Sequence, residues 1–192
     1  VAPTAVYWHV KNKDDLVVLA ADRIWLEITP PDPARVDWRT AATTMAVDLH
    51  SMFSRHPWLV QAFGSHLLYG EGKARYDDGI LGVFESGGFT GPAADRAAGI
   101  LFTFVLGNVL GAAATTTLSR RLARTGRNPD AAIADTVTRA AEIARRYPRL
   151  RSRLDTPAAD YNAAPDQTFE AGLRVLLTGL AAELPPDRSD RV

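Results

Sequence analysis

Residues 92–124 read PAADRAAGILFTFVLGNVLGAAATTTLSRRLAR, a run opened by Pro92 and stopped by Gly126 with no breaker between them. This is one long helix in prospect. Its apolar part, Ala97 to Leu118, is long enough to be mistaken for a membrane span. Gly99, Gly107, Asn108 and Gly111 interrupt it, however, and Arg120 and Arg121 follow at once. A buried helix at the centre of a helical body fits those features better.

Helical signals continue on both sides of this run. Toward the N-terminus, Asn12 suits an N-cap with Asp15 three residues on, and Leu16, Leu19, Ala20 and Ile24 repeat at helical spacing until Pro30-Pro31. Asp37 caps a second helix, with Ala42, Met45, Leu49, Met52 and Phe53 on one face, that ends at His56-Pro57. Pro57 opens a short helix carrying Trp58, Leu59 and Phe63. Beyond Gly70 and Gly72 lies an amphipathic stretch with Tyr76, Ile80, Leu81, Val83 and Phe84, closed by Gly87-Gly88. Toward the C-terminus, Asn128-Pro129 starts a helix lasting to Tyr147-Pro148. A Pro-containing loop from Asp155 to Pro165 then leads to a last helix, Asp166 to Leu184, followed by a charged tail. No alternating segment exceeds four residues and no internal repeat occurs, so the chain is expected to be all-α, with eight or nine helices.

Composition narrows the function. Of 192 residues, 46% are hydrophobic and 23% charged, enough apolar material for a sizeable core. The chain has no Cys, which excludes disulfides, thiolate zinc sites and Cys nucleophiles and fits a reducing compartment; no signal or transit pattern is present, and a cytoplasmic location is expected, with no membrane partner. His9, His50, His56 and His66 show no metal-ligand spacing, and there is no G-x-S-x-G elbow, P-loop or G-x-G-x-x-G fingerprint. No catalytic site, metal or cofactor is expected. Lys+Arg and Asp+Glu balance at 22 each, yet Arg120 to Arg153 holds ten Arg against Asp130, Asp135 and Glu142. That segment reads as a solvated face, or as an attraction to a polyanion.

The N-terminal segment Pro3-Thr4-Ala5-Val6-Tyr7-Trp8-His9-Val10-Lys11-Asn12-Lys13 places two aromatics and a His in succession, which no single buried helix face can hold. Exposed Thr, Ala, Tyr, His and Lys suit base-edge and phosphate contacts in a DNA major groove. An amphipathic helix anchored by Tyr7 and Trp8 would explain the aromatics but not the Lys-Asn-Lys turn. The run Tyr7-Trp8-His9-Val10-Lys11-Asn12-Lys13, with Leu16 beyond, resembles the recognition helix and following turn of the tetracycline-repressor (TetR) family. The resemblance implies DNA contacts from Thr4, Ala5, Tyr7, Trp8, His9 and Lys13. The first two helices of that family's three-helix reading head do not precede the motif here, and further chain is expected upstream of Val1.

The resemblance extends through Asp37-Trp38-Arg39, His56-Pro57-Trp58, Gly88-Phe89, Phe104-x-x-Gly107-x-x-Leu110 and Phe169-Glu170-x-Gly172-Leu173. It implies residues 1–28 as the end of a helix–turn–helix domain with its connecting helix, 29–184 as an effector-binding and dimerisation body, and 185–192 as a tail. The sequence itself supports a homodimer. In the last helix Phe169, Leu173, Leu177, Leu180 and Leu184 form one apolar stripe, and Gly172, Val175, Leu176 and Gly179 form another. A helix apolar on two faces needs two partners, and Gly107 and Gly111 offer a small-residue surface to match.

An apolar ligand space is expected around Met45, Leu49, Phe53, Ile80, Phe84 and Phe102, each of which also suits plain core. His66 and Asn108 are polar groups beside it. Alignment with the family adds Ala98 to this set, and the side chains suit a small hydrophobic effector rather than a metal–tetracycline complex. The combined expectation is a ligand-responsive repressor on a palindromic double-stranded DNA operator. The alternative is a helical ligand-binding or sequestering dimer that never touches DNA.

Overall fold

The computed structural model describes residues 10, 12–154, 156 and 165–184. Eight helices follow in order: α1 (Lys13–Trp25), α2 (Trp38–Arg55), α3 (Pro57–Ala62), α4 (Glu71–Ser86), α5 (Pro92–Arg124), α6 (Pro129–Ala144), α7 (Pro148–Arg151) and α8 (Pro165–Ala182). No strand occurs among the described residues. Local chemistry explains most of the boundaries. Asn12 Oδ1 accepts from the Asp15 amide at 2.8 Å, and Asp37 Oδ1 from the Arg39 and Thr40 amides at 3.0 and 3.1 Å. Asn128 does the same for α6, and Pro57, Pro92, Pro129 and Pro148 occupy first turns where a missing N–H costs nothing.

The 33-residue α5 is the axis of the molecule. At 1.5 Å per residue it is about 50 Å long. Ala94, Ala97, Leu101, Val105, Val109 and Ala113 recur every three or four residues and form a buried stripe against which α2, α3, α4 and α8 pack. By length and composition α5 could cross a membrane. In this fold it is the central core helix, as the interrupting glycines suggested. In α8, Phe169, Leu173, Leu177 and Leu180 are buried and turn inward, which leaves Val175 71% exposed.

Two expectations need correction. The first helix stops at Trp25 instead of running to Pro30, and its buried residues are Ala21 and Trp25, while Leu16 and Leu19 remain 44% and 52% exposed. The Leu spacing was a sound helical period attached to the wrong face. Trp25 settles the rotation of α1, because its indole meets four other rings in the core. The helix begun at Asn128-Pro129 ends at Ala144, and a separate short turn, α7, follows Tyr147. None of the α6 residues is buried, although Val137 and Ile143 lie along it, each 53% exposed.

Candidate functional site

The interior of the body is organised around a group of aromatic rings to which α1, α2, α4 and α5 and the residue after α3 each contribute. Trp25 from α1, Phe53 from α2, Phe63 just after α3 and Phe102 from α5 contact one another pairwise, with centroids 5.8 to 6.4 Å apart. Most of these pairs are edge-to-face, the arrangement favoured by ring quadrupoles and worth roughly 0.5–1.5 kcal/mol each beyond burial. Tyr76 from α4 adds a fifth ring, 5.0 Å from Trp25. A second aromatic group, Trp38, Phe84 and Phe89, lies where the start of α2 meets the end of α4.

The expected ligand residues divide between these groups and the core that joins them. Met45, Leu49, Phe53, Ile80 and Phe84 are fully buried, and Ala98 and Phe102 are half-buried against the same core. Phe53 and Phe102 meet in the Trp25 group, whereas Phe84 belongs to the Trp38 group. His66 stands apart: its Nδ1 pairs with Ser65 Oγ at 2.9 Å and its Nε2 with Asp14 of α1 at 3.3 Å. Asn108 donates to the Phe104 carbonyl one turn earlier, so its amide is occupied within α5.

Sequence reading placed Phe63 and Tyr76 on helices but not at the ligand space, and singled out neither Trp25 nor Lys73. The Lys73 ammonium lies 5.1, 5.2 and 5.7 Å from the ring centroids of Trp25, Phe102 and Tyr76 and pairs with Asp77 one turn on. Its side chain is only 14% exposed. One signal was available: in a chain whose 22 basic residues are nearly all Arg, Lys73 is the single Lys beyond Lys13. An ammonium this close to ring faces is attracted by their negative quadrupole.

Helix α1 is fastened to the body at both ends of this group. Asp22 Oδ1 accepts from the Gly72 and Lys73 amides at 2.9 and 3.2 Å, capping α4 from another helix because Gly70, the α4 N-cap, has no side chain for the task. A Cβ on Gly72 would stand 2.2 Å from the Asp22 carbonyl oxygen, so only Gly permits this approach. Arg75 donates to the Leu26 and Ile28 carbonyls just after α1, at 3.2 and 2.6 Å. Glu27 accepts from Arg55 at 2.7 Å and pairs with His56 at 2.8 Å. The Arg55 guanidinium holds the Glu27 carboxyl below its ordinary value; burial opposes this, and His56 adds to the lowering.

Of the expected DNA contacts, Thr4, Ala5, Tyr7, Trp8 and His9 lie outside the described residues. Lys13 opens α1, exposed, directly after the Asn12 cap. Of the expected dimer residues, Val175, Leu176 and Gly179 of α8 line a groove of about 390 Å³ together with Ile100 of α5, with Arg96 and Glu183 also in its walls. Further along α5, Gly107 and Gly111 are exposed on the same side as Ile100 and Leu118, all within an arc of about 40° on the helical wheel. Gly172 serves a different contact. A Cβ there would meet the Phe104 ring at 2.7 Å, so its smallness lets α8 close on α5 of the same chain.

Comparison with known proteins agrees with this fold. The family described as "Tetracyclin repressor-like, C-terminal domain" matches residues 30–184. A helix–turn–helix-type transcriptional regulator of Saccharopolyspora erythraea is 27% identical over 179 residues, 93% of this chain and 70% of the relative. The repressor DrrR1 of Streptomyces coeruleorubidus is 28% identical over 104 residues, 54% of this chain and 38% of that protein. Among solved structures, a possible TetR family regulator of Streptomyces coelicolor A3(2) superposes with a TM-score of 0.72 at 26% identity, covering 95% of this chain and 84% of the other. ActR of Streptomyces coelicolor, solved in complex with actinorhodin, gives 0.71 at 24% identity, covering 97% and 83%.

Proposed function

This chain belongs to the tetracycline-repressor (TetR) family, and from that premise we propose that it is a cytoplasmic, homodimeric repressor released from a palindromic operator by a small hydrophobic effector. Its family consists of transcriptional regulators and not of enzymes. The observation that carries the reading is the position of α1. In sequence this helix follows the Tyr7-to-Lys13 motif, whose last residue, Lys13, opens it, and its own last residue, Trp25, forms one wall of the aromatic group. A ligand that opens the rings must displace Trp25, and over the 13 residues of α1, about 20 Å, that displacement reaches the reading end.

The ligand-lining role falls to Phe53 and Phe102, with Met45, Leu49, Ile80, Phe84 and Ala98 behind them and His66 holding the first turn of α1 through Asp14. DNA contact falls to Thr4, Ala5, Tyr7, Trp8, His9 and Lys13. The dimer forms along the exposed sides of α5 and α8, through Gly107, Gly111, Val175, Leu176 and Gly179, with Gly172 shaping the α8 seat. Two reading heads must stand about 34–36 Å apart to meet successive major grooves. An effector that prefers a body with another spacing lowers operator affinity by its differential affinity for the two states, and the coupling is reciprocal.

The test is binding to operator DNA, selected from a random-sequence pool, across 50 to 200 mM salt. Counterion release predicts an affinity that falls by orders of magnitude over this range, roughly 10³-fold for six phosphate contacts. A flat response overturns the repressor reading and favours a ligand-binding dimer that never touches DNA. Tyr7→Phe and Lys13→Ala should each weaken DNA binding and leave the dimer intact.

A further inference from the structure

Two buried polar atoms have no hydrogen-bond partner among the described residues, Trp25 Nε1 and Tyr76 Oη, and they sit on adjoining rings. Trp25 is 1% exposed and Tyr76 2%. Leaving such a group unpaired costs about 1–3 kcal/mol, so two in one place mark a site whose polar partner comes from elsewhere. The third polar group there is the Lys73 ammonium, over the faces of Trp25, Tyr76 and Phe102.

The chemistry of the three is one-sided. An indole N–H only donates, an ammonium only donates, and a phenol donates whenever it is protonated. Burial, with the nearby Asp77 carboxylate adding to it, pushes the Tyr76 phenol well above its ordinary range, so its proton stays in place at any working pH. Two carboxylates stand beside these donors among the described residues: Asp77, which is 34% exposed and engaged with the Lys73 ammonium, and Asp22, which is engaged with the Gly72 and Lys73 backbone amides. The cluster therefore offers flat aromatic walls, two unpartnered donors, the Trp25 N–H and the Tyr76 O–H, and an ammonium that can exchange Asp77 for another anion.

Building on the effector-responsive reading above, we infer that the Trp25–Lys73–Tyr76–Phe102 cluster is the effector subsite and that it takes a flat aryl ring bearing an anionic oxygen, a carboxylate or a phenolate. The aryl ring stacks on the faces that the Lys73 ammonium now covers. The oxygen accepts from the Trp25 and Tyr76 donors, and Lys73 turns from the rings to the anion. Because Trp25 is the last residue of α1, satisfying its N–H changes the seat of that helix.

Isothermal titration of the full chain with three naphthalenes of one size tests this: 2-naphthoate, the neutral 2-acetylnaphthalene and the cationic 2-naphthylmethylamine. The expected order is naphthoate first and the amine last, with at least about tenfold between them. Tyr76→Phe removes one hydroxyl that has no partner, so the fold survives it, and naphthoate binding should weaken about tenfold. Lys73→Met should abolish the preference for the anion. Asp77→Asn, which frees Lys73 from its competing carboxylate, should raise naphthoate affinity. Opposite signs at neighbouring positions are not what a merely structural pair produces. Equal binding of the amine, no binding of any of the three, or affinities unmoved by Tyr76→Phe and Lys73→Met would overturn the subsite. Failure of the regulator reading shows elsewhere, as DNA binding that ignores salt, and leaves the naphthalene ranking unaffected.

Discussion

The apolar residues around Trp25 and those along the outer side of α5 and α8 are of the same kinds, yet they end in opposite environments. Trp25, Phe53, Leu101 and Val105 are at most 1% exposed, closed over by helices of their own chain. Val175 is 71% exposed, Leu110 54% and Ile100 46%, on helices whose inner faces are already fully used. The difference lies in which faces the chain can cover alone. A single layer of helices wrapped on α5 closes one side of it and leaves the other apolar and rich in Gly, the surface that a second copy would cover in the proposed dimer. The inner region thus determines whether the protein folds, and in the proposed dimer the outer region determines whether it assembles.

The largest expected effect breaks the inner side of this contrast. Phe53→Ala removes a ring that touches Trp25, Phe63 and Phe102, with no solvent access to refill the space. It should cost about 3–5 kcal/mol, read from the urea midpoint. A cost below about 1 kcal/mol would mean that the cluster is loosely packed and that the contrast with the outer face is one of position only.

A charge on the outer face should do the reverse. Val175→Glu adds a carboxylate to a side chain that its own chain leaves exposed, so monomer stability should change by no more than about 0.5 kcal/mol. In the dimer the same carboxylate would be buried without a partner, and the dissociation constant should rise on the order of a hundredfold, about 2.7 kcal/mol. Sedimentation at micromolar concentration would then report a mass of one chain, 20.8 kDa, in place of twice that. An unchanged dimer would place the interface off this groove.

Beside the inner region lies the joint of α1 and α4, where Gly72 abuts Trp25. Asp22→Ala leaves the Gly72 and Lys73 amides without their acceptor, and the expected loss is about 1 kcal/mol, typical of a missing cap. Hydrogen exchange should locate that loss in the first turn of α4 and the last of α1, with the α5 stripe unaffected. Even loss of protection across the whole body would instead make the joint part of the inner core.

How much of this was legible before the fold was known follows the same division. Helix boundaries set by local chemistry, such as Asp37, Asn128, Pro92 and Gly126, could be read directly, because caps and breakers act within a few residues. The inner stripe of α8 and the glycine-interrupted run of α5 could be read too, since period and composition agree there. The rotation of α1 could not. Leu16 and Leu19 are as apolar as Ala21 and Trp25, and only the rings from α2, α4 and α5 that gather on Trp25 decide which face turns in. Lys73 stood out in sequence only as the single Lys beyond Lys13; the three ring faces that the fold brings to it could not be read from one residue. The small residues of α8 were read together, yet Gly172 faces its own chain and Val175 does not, a distinction of about 60° that depends on where Phe104 stands.

The smallest effect sharpens the contrast at the rim, where α1 leaves the core and meets the end of α2. Glu27 is held below its ordinary value of 4.5, chiefly by Arg55. A carboxyl depressed in the folded state contributes stability that is fully present above its unfolded pKa and fades as pH falls through the folded one. Glu27→Gln should therefore lower stability near neutrality, and the difference from the parent should shrink below about pH 4.5 and vanish in stronger acid. The side chain is 37% exposed, so solvent screening keeps the neutral-pH loss under about 1 kcal/mol. Denaturant midpoints from pH 7 to pH 3 give the comparison. A difference that stays constant across that range would assign the loss to altered packing of the α1 end against α2, and would extend the pH-insensitive core one turn further toward the rim than burial alone places it.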